Sequence, residues 1–134
     1  MALGIGYCLG MAADYPKDPE CIFCKIVAGD MPTELVAESE NAIAFNDIEP
    51  DAPMHVLVIP RGHYERIDDL AKVAPEQVGE IVQLAQKVAE QEADGNYRLI
   101  FNNGKSAGQG VFHAHGHVVG GKQLGWYPSQ SPSY

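Results

Sequence analysis

Three of the chain's five histidines stand at every second position, in the run His113-Ala114-His115-Gly116-His117. Alternate side chains of an extended strand point to the same face, so this spacing predicts three imidazoles in a row. Imidazole exchanges a proton near neutral pH, attacks electrophiles and binds metals. The run is internal and interleaved, unlike a terminal tag of contiguous histidines. It therefore predicts a site with acid–base, nucleophilic or metal chemistry.

A glycine-rich loop, residues 102–110, leads directly into the histidine run. Its glycines let the backbone approach a ligand closely and turn N–H groups towards an anion. Such loops are common in hairpins, but beside aligned imidazoles this one predicts a phosphate cradle. The side-chain amides of Asn102 and Gln109 are candidates for orienting a leaving group or a phosphoryl oxygen.

A second set of chemically capable residues begins with Cys21-x-x-Cys24, a spacing found in zinc sites. A pair of buried thiols and a redox pair are the alternatives. His63 and His113 could add two imidazoles to the two thiolates, which would complete a closed tetrahedral zinc site. A protein that binds metal through all five histidines is a further possibility.

His55 and Asp47 are weaker candidates. His55 begins an apolar strand that could lie beside the histidine run, although a lone histidine at a strand start is more often structural. Asp47 stands before it, at the start of a loop with two prolines. It is either a turn-forming residue or a carboxylate that accepts ribose hydroxyls.

The elements that must position these side chains are short strands and one long helix. Pro75–Glu92 has proline at its first position and an apolar stripe that includes Val82. A short helix is expected over Cys21–Val27. Strands are expected over Leu35–Ala37, Ala42–Phe45, Met54–Pro60, Tyr97–Phe101 and Val111–Val119. The order predicts an α+β fold, with an antiparallel five-stranded sheet, one main helix and a short N-terminal helix.

Length and composition indicate one domain, because 134 residues support a single modest core. Residues 1–20 are expected to form a flexible extension. Residues 21–134 form the domain, with a tail from about 122 whose Trp126 and Tyr127 would suit an interface. The net charge of −9 argues against nucleic acid or an anionic membrane as a partner. An odd cysteine count without a secretion signal favours the cytoplasm.

With these residues in view, the chain resembles the histidine triad (HIT) superfamily, whose motif is His-x-His-x-His followed by apolar residues. The resemblance extends from about Cys21 to Trp126. Residues 45–48, 53–60 and 120–126 are similar to the Hint branch in particular. The resemblance implies a homodimeric, nucleotide-binding hydrolase that acts on purine nucleoside phosphoramidates, such as AMP joined to an amine.

The resemblance also implies a role for each site residue. His115 would be the nucleophile that attacks the α-phosphorus and forms a nucleotidyl-histidine, which water then cleaves. His117 and His55 would surround the phosphate, and Asn102 would assist near the leaving group. Some bacterial members carry zinc on residues matching Cys21, Cys24, His63 and His113. The implied nucleotide-binding set comprises Phe23, Ile26, Phe45, Asp47, Ile48, Asn102, Gln109, Gly110, Val111, His115 and His117. Asp47 would hold the ribose, and Phe23, Ile26, Phe45 and Ile48 would line the purine slot.

Gly110 departs from the Hint pattern, which usually has serine or threonine at this position. The missing hydroxyl is a candidate proton donor to the departing amine, and its loss could cost about 10²–10⁴-fold in rate. The alternative function is therefore a nucleotide-binding regulatory or scaffold protein with weak or no hydrolase activity. Gly116, where a bulkier apolar residue is usual, is expected to leave the opposite strand face loosely filled.

Overall fold

A computed structural model describes residues 15–125, within which five strands form one antiparallel sheet in the order β1-β2-β3-β5-β4. The strands are β1 (Leu35–Glu38), β2 (Ala42–Asn46), β3 (Met54–Pro60), β4 (Arg98–Ile100) and β5 (Gly116–Gly120). The α-helices of this part are α1 (Ile22–Ala28), α2 (Ile67–Val73) and α3 (Pro75–Glu92). The α+β prediction is confirmed, and α2 is an element that the sequence patterns did not indicate.

Helix α3 covers one face of the sheet. It begins with Pro75, and its bounds are those expected from the sequence. The helix buries one stripe of side chains against the sheet, but Val82 is 41% exposed, so its assignment to that stripe is wrong. The buried stripe comprises Ile81, Leu84, Ala85, Val88 and Ala89. This packing makes the covered face the main core and leaves the opposite face to other elements.

The opposite face carries a second apolar cluster beneath α1. Phe23 of α1 packs there with Ile43, Phe45, Leu57 and Ile59. Directly opposed residues in an antiparallel pair share a face. Because Leu57 pairs with His117, and His55 pairs with Val119, both imidazoles lie on this same face. The second cluster and α1 therefore frame the histidines.

Strand β5 is shorter than predicted, and this changes the geometry of the histidine run. Its pairing with β3 ends at Val58 and Gly116, before the position where Pro60 would have to donate an N–H that proline lacks. Instead, the carbonyl of Pro60 accepts from Nε2 of His113 at 2.9 Å. Only His117 lies in the strand. The prediction of three imidazoles along one strand is wrong for His113 and His115.

Residues 15–20 contact the domain at the end of β3 and at α1. The carbonyl of Pro16 accepts from the backbone N–H of His63 at 2.7 Å. The N–H of Asp18 points at Sγ of Cys24, 3.4 Å away. The rest of the predicted extension and the pair Trp126 and Tyr127 lie outside the described residues, so the domain limits stay predictions. Among the described helices, none is long and apolar enough to cross a membrane.

The strand face opposite the histidines is tightly filled at Gly116, contrary to expectation. A β-carbon there would lie 2.8 Å from Cδ1 of Leu99 and 2.9 Å from Cε1 of Phe101.

We expect Gly116→Ala to lower the free energy of unfolding by about 1–3 kcal/mol, the usual cost of overpacking. Gly79→Ala is the control, because nothing lies within 4 Å of that helical position. Urea titration should show it unchanged or stabilised by about 1 kcal/mol. Equal midpoints for both variants would contradict the packing argument.

Candidate active site and metal centre

Four donor atoms converge where α1, the end of β3 and the start of the histidine run meet. Nδ1 of His113 lies 3.5 Å from Sγ of Cys21 and 3.6 Å from Sγ of Cys24. Nδ1 of His63 lies 3.4 Å from Sγ of Cys24 and 3.3 Å from Nδ1 of His113. A tetrahedral zinc ion, with bonds of about 2.3 Å to sulfur and 2.0 Å to nitrogen, has ligand–ligand edges of roughly 3.3–3.8 Å. The four atoms fit zinc in both donor type and spacing.

The protonation states around this cluster also suit a metal. Nε2 of His113 donates its proton to the carbonyl of Pro60, so Nδ1 presents a lone pair to the cluster. Burial lowers the pKa of His113 to about 4, which keeps the imidazole neutral. Burial also raises the pKa of Cys24 to about 11, so metal binding must release a proton from that thiol.

His115 is next but one to His113 in the chain and is not part of this cluster. Its Nδ1 donates to the carbonyl of His113 at 2.8 Å, which leaves the lone pair on Nε2. Nε2 is buried and has no hydrogen-bond partner among the described residues. Burial lowers the pKa of His115, so the imidazole is neutral near pH 7. The edge-on ring of Phe23, 5.2 Å away between centroids, holds its orientation. The result is an oriented nitrogen lone pair, which is what a nucleophile requires.

His55 and His117 form a buried pair next to His115. Nε2 of His55 lies 3.0 Å from Nδ1 of His117. The rings of His115 and His117 are 5.1 Å apart between centroids. Burial, together with the neighbouring His115 and His55, lowers the pKa of His117 to about 3. His115 and His117 can therefore contact one phosphate-sized group while remaining neutral, with His55 held against His117.

Asp47 stands against the His55 ring with one oxygen unsatisfied. Its Oδ1 accepts from the N–H of Glu49 at 2.8 Å. Its Oδ2 lies 3.2 Å from Nε2 of His55, yet it is buried without a hydrogen bond from the part of the chain described. Burial raises the pKa of this carboxyl group. A buried acceptor of this kind suits a ligand that brings hydroxyl donors.

Asp47, His55 and His117 also place three potential ligand atoms within 4.8 Å of one another. Their hydrogen bonds do not fit a metal, however. The backbone N–H of Asp51 donates to Nδ1 of His55 at 2.9 Å, so the proton of a neutral His55 lies on Nε2, inside the cluster. A metal would have to displace that proton and leave an imidazolate. Of the two clusters, only the cysteine cluster fits zinc, which argues against metal binding by all five histidines.

The predicted purine-binding side chains group around the second apolar cluster, with one exception. Phe23 and Phe45 are buried and meet edge to face, with centroids 5.8 Å apart. Ile26 and Val111 pack against the same cluster. Ile48 is 94% exposed and lies apart from it. The structure thus brings Phe23, Ile26 and Phe45 together but not Ile48, and the contact of these side chains with a purine stays a prediction.

Gln109 is buried and holds the glycine-rich loop together. Its Nε2 donates to the carbonyls of Glu65, at 2.6 Å, and Val111, at 3.0 Å. Its Oε1 accepts from the N–H of Gly104 at 2.8 Å. Because these contacts use both ends of the amide, Gln109 shapes the backbone of the predicted phosphate cradle.

The glycines of the loop differ in whether their backbone conformation requires glycine. Gly104 and Gly108 have φ of 100° and 97°, a conformation that favours glycine. A β-carbon on Gly108 would lie 4.0 Å from the side-chain amide of Asn102. Gly110 is exposed and its φ is outside the left-handed region. The loop conformation therefore does not require glycine at position 110.

Three groups of the site were missed by sequence reasoning, the N–H of Asp51 and the carbonyls of Pro60 and His113. All three act through the backbone, so the residue type carries no signal for them. The only indirect sign is that a proline ends β3, because it cannot continue the ladder with β5.

The chain is similar to proteins of one known family. The family model described as HIT domain matches residues 28–124. The purine nucleoside phosphoramidase of Escherichia coli K12 is 39% identical over 108 residues, which cover 79% of this chain and 91% of that protein. A HIT family hydrolase from Legionella pneumophila superposes with a TM-score of 0.77 at 41% identity, covering 81% of this chain and 99% of that one. A zinc-bound histidine triad family protein from Mycobacterium smegmatis superposes with a TM-score of 0.64 at 34% identity, covering 75% and 73%. The chain belongs to the HIT family.

Proposed function

We propose that this protein is a hydrolase that cleaves purine nucleoside phosphoramidates through a nucleotidyl intermediate on His115. The observation that carries the proposal is the state of His115, whose Nε2 is buried without a partner from the described residues. Its Nδ1 proton is fixed by the carbonyl of His113. The similarity to a purine nucleoside phosphoramidase supports the same substrate class.

The chemistry proceeds as two displacements at phosphorus. The Nε2 lone pair of His115 attacks the α-phosphorus, the P–N bond to the amine breaks, and the amine takes a proton from solvent as it leaves. Water then attacks the phosphorus of the nucleotidyl-histidine and returns a proton to solvent, which releases the nucleoside monophosphate and regenerates His115. His117 stabilises the charge on the phosphoryl oxygens, and His55 supports it through Nε2, which lies 3.0 Å from Nδ1 of His117.

The remaining site residues bind the nucleoside and assist the leaving group. The buried Oδ2 of Asp47 accepts hydrogen bonds from the ribose hydroxyls, which would satisfy an otherwise unpaired oxygen. The cluster around Phe23 and Phe45 packs against the purine. Asn102 stands at the start of the loop and assists the leaving group.

We also propose a structural zinc ion on Cys21, Cys24, His63 and His113. The donor spacing supports it, as does the zinc-bound relative from Mycobacterium smegmatis. Zinc would crosslink α1, the end of β3 and the segment before β5. Because His113 also accepts the Nδ1–H of His115 through its carbonyl, the metal would hold the nucleophile in place.

A homodimer is proposed through the edge strand β4. The other edge strand, β1, has an irregular register between Leu35 and Ala37, a feature that discourages pairing with another chain. The three residues of β4 are half-buried and pair with β5 on one side. A second copy could extend the sheet there. Light scattering should give twice the chain mass, whereas the mass of a single chain would contradict this arrangement.

The rival function is a nucleotide-binding regulatory or scaffold protein, and Gly110 favours it. Activity towards AMP phosphoramidates, dinucleoside polyphosphates and nucleotidyl sugars separates the two. The proposal predicts turnover of the phosphoramidates above the other two classes. Micromolar AMP binding without turnover of any class would support the rival, and faster cleavage of polyphosphates would change the substrate class.

We expect Gly110→Ser to increase turnover of phosphoramidates with poor leaving groups. The new hydroxyl could protonate the departing amine, a contribution of roughly 10²–10⁴-fold. The backbone accepts serine there without left-handed strain. Steady-state kinetics should show the gain in kcat for alkylamine leaving groups and little gain for aromatic amines. Ser106→Ala, in the exposed part of the same loop, is the control and should change neither. An unchanged kcat for Gly110→Ser would show that the hydroxyl is dispensable.

A further inference from the structure

We infer that the backbone N–H of Asp51 is a positioning group of the active site, because it sets the tautomer of His117 through His55. The two imidazoles and the amide form one chain of hydrogen bonds, from the loop between β2 and β3 to the middle of β5. The catalytic consequence rests on the proposed hydrolase function, whereas the tautomers themselves do not.

The first link lies between Asp51 and His55. An amide N–H can only donate, so Nδ1 of His55, 2.9 Å away, must accept. A neutral His55 therefore carries its proton on Nε2. A proton on Nδ1 would face the N–H of Asp51 directly, which is repulsive. The amide thus selects one of the two tautomers of His55.

The second link passes this choice to His117. Nε2–H of His55 faces Nδ1 of His117 at 3.0 Å, so that nitrogen must accept, and the proton of His117 lies on Nε2. Oδ2 of Asp47 is also near, at 3.2 Å, but it makes no hydrogen bond to the residues described. The Nε2–H bond is fixed in the plane of the His55 ring, so Nδ1 of His117 cannot carry a proton against it.

The loop that supplies the amide is itself fixed. The N–H of Asp47 donates to the carbonyl of His55 at 3.0 Å, and Oδ1 of Asp47 accepts from the N–H of Glu49. Pro50 and Pro53 flank Asp51 and restrict the backbone on both sides. The amide is therefore held against the imidazole before any substrate arrives, which is the preorganisation that electrostatic catalysis requires.

The consequence is a defined hydrogen-bond donor next to the nucleophile. With its proton on Nε2, neutral His117 can donate to an oxygen of the phosphoryl group attacked by His115. The opposite tautomer would present a lone pair to that oxygen and repel it. The amide of Asp51 thus keeps His117 in the tautomer that favours phosphoryl transfer without placing a charge on the ring.

Two substitutions at position 51 isolate the amide. Asp51→Pro removes both the carboxylate and the N–H, whereas Asp51→Ala removes the carboxylate and keeps the N–H. Nitrogen-15 NMR of histidine-labelled protein reports which ring nitrogen carries the proton. We expect Nε2–H on His55 and His117 in the wild type and in Asp51→Ala. In Asp51→Pro we expect a mixture of tautomers on His55 and a kcat/KM lowered roughly 10–100-fold relative to Asp51→Ala.

Each result decides the inference. Unchanged tautomers in Asp51→Pro, or equal kcat/KM for both variants, would overturn it. If Asp51→Pro does not fold, the wild-type spectrum still decides, because a proton on Nδ1 of either His55 or His117 contradicts the chain of hydrogen bonds. A wild-type protein with the expected tautomers but without phosphoramidase activity would refute the proposed function and leave the tautomer assignment standing.

Discussion

His115→Asn is expected to lower the rate of adenosine phosphoramidate hydrolysis by roughly 10⁴-fold or more, the scale on which enzymes lose activity with their covalent nucleophile. Asparagine keeps a polar side chain of similar reach but has no nucleophilic lone pair to offer phosphorus. Nucleotide affinity should change little, because the ribose and purine contacts are assigned to other residues. The measurement is single-turnover hydrolysis together with AMP binding by calorimetry.

Val82→Ala is the control for this experiment. Val82 lies on the exposed side of α3, on the far face of the sheet from the histidines, so its activity should match that of the wild type. A His115→Asn variant that retains a tenth or more of the wild-type rate would contradict the nucleophile assignment. A variant that also loses AMP binding would indicate that His115 supports the pocket instead.

Removal of zinc is expected to have the largest effect on stability. Loss of a ligand present at 1,000 times its dissociation constant costs about 4 kcal/mol. For a domain of this size the loss should lower the melting temperature by roughly 10–20 °C. Cys24→Ser should do the same, because its sulfur is within 3.6 Å of both histidine ligands. Elemental analysis and calorimetry, with and without a chelator, measure both effects.

The control for zinc is the neighbouring histidine. His115→Asn should retain one zinc ion per chain, because Nδ1 of His115 donates to a carbonyl and His115 is not among the four residues of the metal cluster. Loss of zinc with His115 rather than with Cys24 would contradict the division between metal and catalytic histidines. A Cys24→Ser melting temperature equal to that of the wild type would show that the metal contributes little to the fold.

The elements with strong patterns were predictable from the sequence. Strand β3 is apolar at six of its seven positions and is buried throughout, and α3 combines an initial proline with a helical apolar period. Both have the predicted bounds. Helix α2 has only seven residues, and a pattern that short carries little periodic signal. The end of β5 was missed because it depends on Pro60 in a neighbouring strand, which no local pattern around the histidines reveals.

The candidate site was predictable by residue type but not by orientation. Spacing suggested the four zinc ligands, and the structure brings their donor atoms together. His113 and His115 lie in different sites because β5 begins only at Gly116, so neither residue follows the alternation of a strand. The tautomers of His115 and His55 depend on backbone groups of His113 and Asp51, which any residue type could supply. Gly116 shows the same limit, because its fit depends on Leu99 of β4 and on Phe101 just after that strand.

The stereochemical course at phosphorus tests the central claim most directly. An adenosine phosphoramidate made chiral at the α-phosphorus with sulfur would be hydrolysed in oxygen-18 water, and the configuration of the product determined. Displacement by His115 and then by water each invert the configuration at phosphorus, so we expect net retention of configuration. Net inversion would mean that water attacks the substrate directly, and would contradict a nucleotidyl-histidine intermediate.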